Sequence, residues 1–515
     1  MKKRLLLLCF SVTSIAASAQ SFLWAEKEGD NSNGQIITTD PAGNSYVSGR
    51  IYASTTIAGQ ALNIADGDNF LAKYDNNGNA LWVKQMDSME VFDMDCSASA
   101  VYLSGRYHPG ASFDGTALTG GGGWDGFILR LDTGGNITMQ MTGEDPSTYD
   151  AVNSIAIDNS GNMYVTGAYW GSAIAFGSTV LTGNYGSESM FLMKITPAGS
   201  FAWIKTVTSD NGGATGDMVR VAPSGDIYVL STAFGDSLYY GSMYYNPGSY
   251  DAEVLVHYDN TGNALRFDVI NQSSYEVVTD LNTDVAGNVY TLQTNYLMSY
   301  TLAKFNAGLD TTWVVTDGTG GQLSAGNVEI LQTGEVIVIG DIGADATFGG
   351  STMVPSNGGQ PGYIASYTAA GSFTSIDVVP GTLYMRQGAL DASDNIYFAG
   401  TLSDSASFDG IDLDTGGPEG MFVAKYGSSV TNISEKDPGE ITVFPNPAAS
   451  ILNCRLENSE SVLLQVFDAL GEKVYEDKIT GESTFTVDVT GWSRGVYMLN
   501  CQLQDQVIRK KIVVN

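Results

Sequence analysis

The chain has 515 residues, enough for a large domain and a small one with an ample core. Gly is abundant at 61 residues while Lys and Arg together number 24, and Gly-rich turns with many Tyr and Val and few helix formers argue for an all-β protein. The formal charge of −32 repels nucleic acid and anionic lipid, and so argues against both as partners.

The chain opens with an expected export signal over residues 1–19. Lys2-Lys3-Arg4 is its charged start, Leu5 to Phe10 begin its apolar core, and Ala17-Ser18-Ala19 precede Gln20 as a cleavage site. Leu8 is bulky where lipid attachment at Cys9 wants a small residue, which favours plain cleavage. Losing three basic residues takes 24 to 21 against 56 acidic ones. No later stretch reaches the roughly 18 apolar residues of a spanning helix, so no transmembrane segment is expected. Cys454 and Cys501 lie in strand-like text, which leaves a disulfide between them open. Cys96 reads as a small buried residue, and none of the three has zinc or redox spacing.

Gly-Asn-x-Tyr-Val recurs from Gly43-Asn44-Ser45-Tyr46-Val47 onward. With Tyr46, Tyr102, Tyr164, Tyr228, Tyr290, Ile337 and Tyr397 as markers, the gaps are 56, 62, 64, 62, 47 and 60 residues. Strand-like text at this period predicts a closed ring of small sheets. A third-strand module follows each marker, as in Phe70–Tyr74, Phe127–Leu131, Phe191–Ile195 and Phe422–Tyr426. Fourth strands centre on Trp82, Ile137, Trp203, Leu265, Trp313 and Phe373, one short of the repeat number. Ser21-Phe22-Leu23-Trp24-Ala25 supplies the missing copy. A seven-bladed β-propeller whose last blade is closed by the N-terminal strand is therefore expected over 20–427.

An apolar pair five apart recurs between second and third strands: Ile57/Leu62, Phe113/Leu118, Phe176/Leu181, Tyr239/Tyr244, Phe348/Met353 and Phe408/Leu413. These pairs are expected to pack between blades. The fifth repeat lacks the pair, so its connection is expected to be short and its rim notched. The repeats resemble the SBBP-type β-propeller repeat through Gly-Asn-x-Tyr-Val and Phe70-Leu71-Ala72-Lys73-Tyr74-Asp75-Asn76-Asn77-Gly78. That resemblance implies fold, and almost nothing about activity.

Residues 428–440 read as a polar linker. From 441 to 515, alternation in Leu463–Phe467, Phe485–Val489, Val496–Leu499 and Ile512–Val514 predicts a small Ig-like β-sandwich. This block is similar to the type A C-terminal sorting domain of the type IX secretion system. The residues carrying the similarity are Phe444, Pro445, Asn446 and Pro447, then Gly471 at the end of Val466-Phe467-Asp468-Ala469-Leu470-Gly471, Gly495 and Tyr497, and Lys510 and Lys511 before Ile512-Val513-Val514. The similarity implies the type IX machinery as partner, and passage through the periplasm to the outer surface or the medium.

Chemistry is harder to read. His108 and His257 are the only histidines, which leaves little material for a Ser-His-Asp or histidine-rich metal site. His257 lies in a strand and reads as core or edge. Among the carboxylates, Asp75, Asp132, Asp158 and Asp259 fall in repeat turns, where the side chain caps backbone. No catalytic residue and no cofactor is assigned. Calcium is the nearest candidate, at Asp66-Gly67-Asp68, Asp280 with Asp284, or Asp409 with Asp412 and Asp414, but none has the spacing of a calcium loop. Candidates for stacking on sugar rings are Tyr240 and Tyr245, expected to be exposed beside the packed Tyr239 and Tyr244, together with Trp124, Tyr169 and Trp170. The triplets Asp87-Ser88-Met89, Asp236-Ser237-Leu238 and Asp404-Ser405-Ala406 resemble short bacterial O-glycosylation sites.

The reading is a secreted or surface-displayed, monomeric, non-enzymatic propeller that binds polysaccharide or another surface protein. Its alternatives are a polysaccharide-active hydrolase or lyase with acidic residues in the central cleft, and a structural module without a ligand. A deep funnel with two close, desolvated carboxylates would put catalysis ahead, and a flat polar rim would favour the structural alternative.

Overall fold

The structure is a computed structural model that describes residues 20–63, 68–120, 123–144, 149–171, 173–183, 188–248, 250–272, 275–295, 298–428, 441–444, 448, 450–456, 462–468, 473–479, 484–502 and 507–514. The described residues are all-β, with no helix among them. The chain divides into two compact units, Ala19–Ser428 and Ser429–Asn515.

The larger unit contains seven four-stranded antiparallel meanders among its described residues. The third is representative: Asp150–Ile157, Met163–Trp170, Glu188–Ile195 and Phe201–Thr206. The first two are continuous, because the strand Ala80–Cys96 is the last of one and the first of the next. In the seventh, Gly381–Leu390, Ile396–Phe408 and Gly420–Ser428 are completed by Gln20–Asp30 from the other end of the unit, with Gln20 opposite Ser428.

The repeat motif is a set of hydrogen bonds. Asp40 Oδ1 accepts from the Ala42 and Asn44 backbone N–H, and its Oδ2 accepts from Asn44 Nδ2 and from the Tyr46 hydroxyl. Asp158, Asp284 and Asp391 do the same for Tyr164, Tyr290 and Tyr397. The turn needs a left-handed residue, and Gly43 supplies it at φ 79°. Asp75 and Asp132 cap the turns between third and fourth strands, where the Asn79 and Asn136 amides hold their carboxyls below the usual carboxylate range.

The third-strand Lys lies over the marker Tyr ring at 4.8–4.9 Å in Lys73–Tyr46, Lys194–Tyr164, Lys304–Tyr290 and Lys425–Tyr397. His257 takes this place in the fourth meander and stacks on Tyr228 at 4.9 Å. The fourth-strand Trp donates its indole N–H to a turn carbonyl of the next meander: Trp82 to Thr133, Trp203 to Asn260, and Trp313 to Ala369. Trp24 makes the same bond to Asn76 at 3.0 Å. The seventh meander is thus tied to the first by the same kind of bond that links the others.

Two packing expectations are corrected. In the fourth meander Tyr240 is the fully buried ring and Tyr244 is 53% exposed, so the register of the apolar pair is one residue later than expected. In the sixth, Val354 is buried beside Phe348 while Met353 is 68% exposed. In the fifth, Asn295 and Ser299 pair directly across a short connection.

The smaller unit has two antiparallel sheets. One contains Ile441–Phe444, Ile451–Leu456 and Thr484–Asp488, and the other Val462–Phe467, Lys473–Ile479, Gly495–Gln502 and Val507–Val514. Leu452, Cys454, Leu464, Val466, Val487, Leu499 and Ile512 form one core between them. Cys454 is a free thiol there, pushed up to about 12 by burial.

Candidate functional site

The first strands of the seven meanders come together, each bonded to the next. Cys96 Sγ donates to Thr39 O, Ser154 Oγ to Asp93 Oδ2 (2.5 Å), and Val219 N to Ser154 Oγ. Arg220 Nη2 lies 3.5 Å from Asp280 Oδ1. Val328 N donates to Asp280 Oδ2, Gly388 N to Asn327 Oδ1, and Ile37 N to Gln387 Oε1, which returns to the first strand.

Every one of these strands carries a β-bulge at the same place. The extra residues are Gln35, Phe92, Asn153, Asp217, Thr279, Gly326 and Arg386. All seven line one cavity of about 220 Å³. A second cavity, of about 300 Å³, is lined by the residues three positions further on: Thr38, Asp95, Ala156, Arg220, Asn282, Glu329 and Ala389. Arg220, Asp93, Asp280 and Gln387 border both. The Arg220 guanidinium lies 3.4 Å from Asp93 Oδ2 as well as 3.5 Å from Asp280 Oδ1, a brace between the two spaces.

The carboxyls here are desolvated. Burial, then the neighbouring Asp280, pushes Glu329 up to about 8, and burial pushes Asp95 up to about 6. Their oxygens are engaged, however. Asp93 accepts from the Met94 and Ile155 N–H, Asp95 from Cys96 and Ile157, and Asp280 from Leu281 and Val328. Glu329 differs, since among the described residues the Asn282 and Asn327 side-chain amides are its hydrogen-bond donors and no backbone N–H is.

The expected sugar-stacking residues separate. Tyr240 and Tyr169 are fully buried and drop out as ligand contacts. Tyr240 shares a hydrogen bond with Ser231 and packs on Phe267, while Tyr169 stacks on Phe191. Tyr245 is half-buried against Phe267. Trp170 is 44% exposed. Trp124 is half-buried, with the Arg106 guanidinium 4.4 Å above its ring and the exposed His108 at its edge, 5.0 Å away. Both tryptophans flank Asp150, whose N–H donates to Trp124 O and whose carboxylate accepts from Trp170 N.

The calcium candidates do not converge. Asp280 is in the Arg220 brace, while Asp284 caps a turn. Asp409 accepts from Phe22 N, Asp412 from Ser407, and Asp414 from Gly416 N. Asp66 and Gly67 lie outside the described residues. Among the described residues no group of three His, Cys, Asp or Glu side chains is placed to hold a metal, and no helix is long and apolar enough to cross a membrane.

In the smaller unit Phe444 is 49% exposed, Gly495 is exposed at a strand start, and the buried Tyr497 donates its hydroxyl to Ser493 O at 2.7 Å. Lys510 and Lys511 lie in the last strand, opposite Leu499 and Met498. Pro445, Asn446, Pro447 and Gly471 lie outside the described residues.

Phe92, Asp93, Asp95, Arg220 and Glu329 were missed from sequence, and Asp280 was named there only as a calcium candidate. A signal was present, since the residue nine or ten before the marker is polar in five repeats: Asp93, Ser154, Asp280, Asn327 and Gln387.

Over 90 residues the chain is 29% identical to an ulvan lyase of Nonlabens ulvanivorans, a stretch that is 17% of each protein. Solved structures with some likeness include a protein of unknown function from Bacteroides caccae (13% identity, 55% of this chain and 81% of that one, TM-score 0.31). A fungal alcohol oxidase of the AA5 family in complex with copper has 13% identity over 96% of this chain and 99% of that one, with a TM-score of 0.37. A puromycin hydrolase has 12% identity over 82% and 58%, with a TM-score of 0.35. Likeness at this level bears on neither fold nor function. Residues 442–515 match the family of secretion system C-terminal sorting domains, so this protein carries the sorting domain of the type IX route and is exported to the cell surface or beyond.

Proposed function

We propose that the exported unit is a seven-bladed β-propeller of SBBP-type repeats, closed by the strand Gln20–Asp30, that acts as a non-enzymatic binding module for polysaccharide or another surface protein. In such a ring the ladders run within blades and the closure runs through contacts between first strands, the pattern of bonds described above. The observation that carries the binding reading is the use of the axial carboxylates. Asp93, Asp95 and Asp280 each give an oxygen to a backbone N–H of the neighbouring first strand. Acids so engaged fasten sheets together and are poorly placed to move protons.

Glu329 favours a second reading. It is a carboxyl held protonated at neutral pH beside a cavity, as a general acid would be. The two readings part in one experiment. The full chain is incubated with a polysaccharide panel and with surface proteins, and bound material and released products are measured separately. Binding without products supports the module. Products that disappear in Glu329→Gln would replace it with the hydrolase or lyase. Neither binding nor products would leave a structural surface module.

A further inference from the structure

We propose that the ring of bulge residues is a receptor for the end of a neutral glycan chain, with Phe92, Arg106 and Trp124 as a ladder leading outward from it. The inference rests on the binding reading above and names its face and ligand class.

A regular strand commits its side chains alternately to one sheet face or the other, whereas a bulge leaves one residue unpaired and re-aims it. Here that happens at the same place in all seven first strands, and all the freed positions open on one cavity. At about 220 Å³ it is below the roughly 300–1,000 Å³ of drug-sized ligand sites, so it suits a chain end and not an extended segment.

The lining has the mixed chemistry that vicinal hydroxyls need. Phe92 is 37% exposed and offers a ring face. Gln35 and Arg386 are exposed and make no hydrogen bond or ion pair among the described residues. Asp217 is steadied by the Thr215 and Thr232 hydroxyls. Charge is close to balanced, with Arg220 and Arg386 against Asp93, Asp217 and Asp280, and burial raises Asp217 toward its neutral form. A polyanion finds no attractive field there, which points to an uncharged sugar.

The outward path is rigid. Arg106 lies 5.3 Å from the Phe92 ring and 4.4 Å from Trp124, and Glu90 grips it through Nε at 2.7 Å and Nη2 at 2.6 Å. Arg106 packs over both rings, so the path offers their remaining exposed area beside a fixed guanidinium, a low-entropy surface for successive sugar rings.

The test is calorimetric titration of the full chain with cello-, xylo-, manno- and laminarihexaose, and with hexagalacturonate as the charged probe. The inference expects binding of at least one neutral series. Phe92→Ala should weaken it about tenfold or more with the melting temperature lowered by at most a few degrees, because the ring is partly exposed and its packing partner is Arg106. Gln35→Ala, at an exposed side chain, should also weaken it. Tyr250→Ala, an exposed ring outside the cavity lining, should leave it unchanged. Binding that survives Phe92→Ala but is lost in Trp170→Ala would move the receptor to the rim, overturning this inference while the binding module stands. Tighter binding of hexagalacturonate would overturn the ligand class. A blank panel with a surface protein captured would overturn the glycan receptor alone, and a blank panel with no partner would remove the binding reading too.

Discussion

The units Ala19–Ser428 and Ser429–Asn515 are both antiparallel β, yet they distribute their stabilising contacts differently. In the smaller unit one cluster of buried side chains serves both sheets. In the larger, the same few interactions recur at successive junctions: an Asp-capped turn, a Lys over a Tyr ring, an indole N–H on the next turn's carbonyl. A motif that recurs in this way records a structural need, so the text that is easiest to read in the larger unit is the least informative about ligands. Function is better sought where the repeats disagree, as they do where the first strands meet. In the smaller unit the distinctive residues belong to an address.

The two units can be perturbed separately. The largest effect is expected from deleting residues 442–515, which should reduce protein at the cell surface and in the medium to background while leaving the melting of the larger unit unchanged. Immunoblotting of fractions and calorimetry check both halves, and a shifted melting temperature would mean that the two units are not stabilised separately.

Next is Arg220→Met, which strands Asp93 and Asp280 without their shared cation. Breaking a buried pair costs about 3–5 kcal/mol, and some solvent access to Arg220, 23% exposed, places the loss toward the lower end. Urea unfolding measures it. A loss under about 1 kcal/mol, the value of an exposed pair, would show that the brace is dispensable.

Asp158→Ala removes the acceptor of the Ser160, Asn162 and Tyr164 bonds. It should cost about 2 kcal/mol, several modest hydrogen bonds lost together, and an equal loss for Asp391→Ala would confirm that the repeat acts as a repeat.

The pH profile is more specific. Glu329 titrates at about 8 in the folded protein against roughly 4.3 in an unfolded chain. The folded state therefore keeps a proton that the unfolded state has released. This contribution is fully present below about pH 4 and is lost as pH rises toward 8. Asp95, at about 6, acts in the same direction over the lower part of that window. Glu329→Gln should flatten the fall in melting temperature by a few degrees, and an unchanged slope would argue that Glu329 is solvated.

Smallest are Trp203→Phe and Tyr497→Phe, about 1 kcal/mol each for one hydrogen bond. The first should act only on the melting of the larger unit and the second only on that of the smaller.

What could be read from sequence follows the same division. The Asp-x-x-Gly-Asn-x-Tyr turns are visible because their bonds span six residues, so spacing alone exposes them. The fourth-meander hairpin was read one residue out of register because Tyr239-Tyr240 and Tyr244-Tyr245 offer two equivalent pairs five apart, and only packing against Phe267 selects Tyr240 and Tyr245. The bulges were invisible, since no residue type marks them: Gln, Phe, Asn, Asp, Thr, Gly and Arg all occupy that position. The axial cavities are built from residues hundreds of positions apart, whose proximity local periodicity does not encode.

The pairing of Gln20 with Ser428 also sets a clock. Gln20–Asp30 is synthesised about four hundred residues before its partner Gly420–Ser428. Until that partner is made, the backbone donors and acceptors of Gln20–Asp30 lack their match, and an unmatched edge invites wrong pairing. The sorting domain, residues 442–515, follows Gly420–Ser428 in the chain. A machinery that acts on that domain therefore meets it only after both strands of this pair have been made.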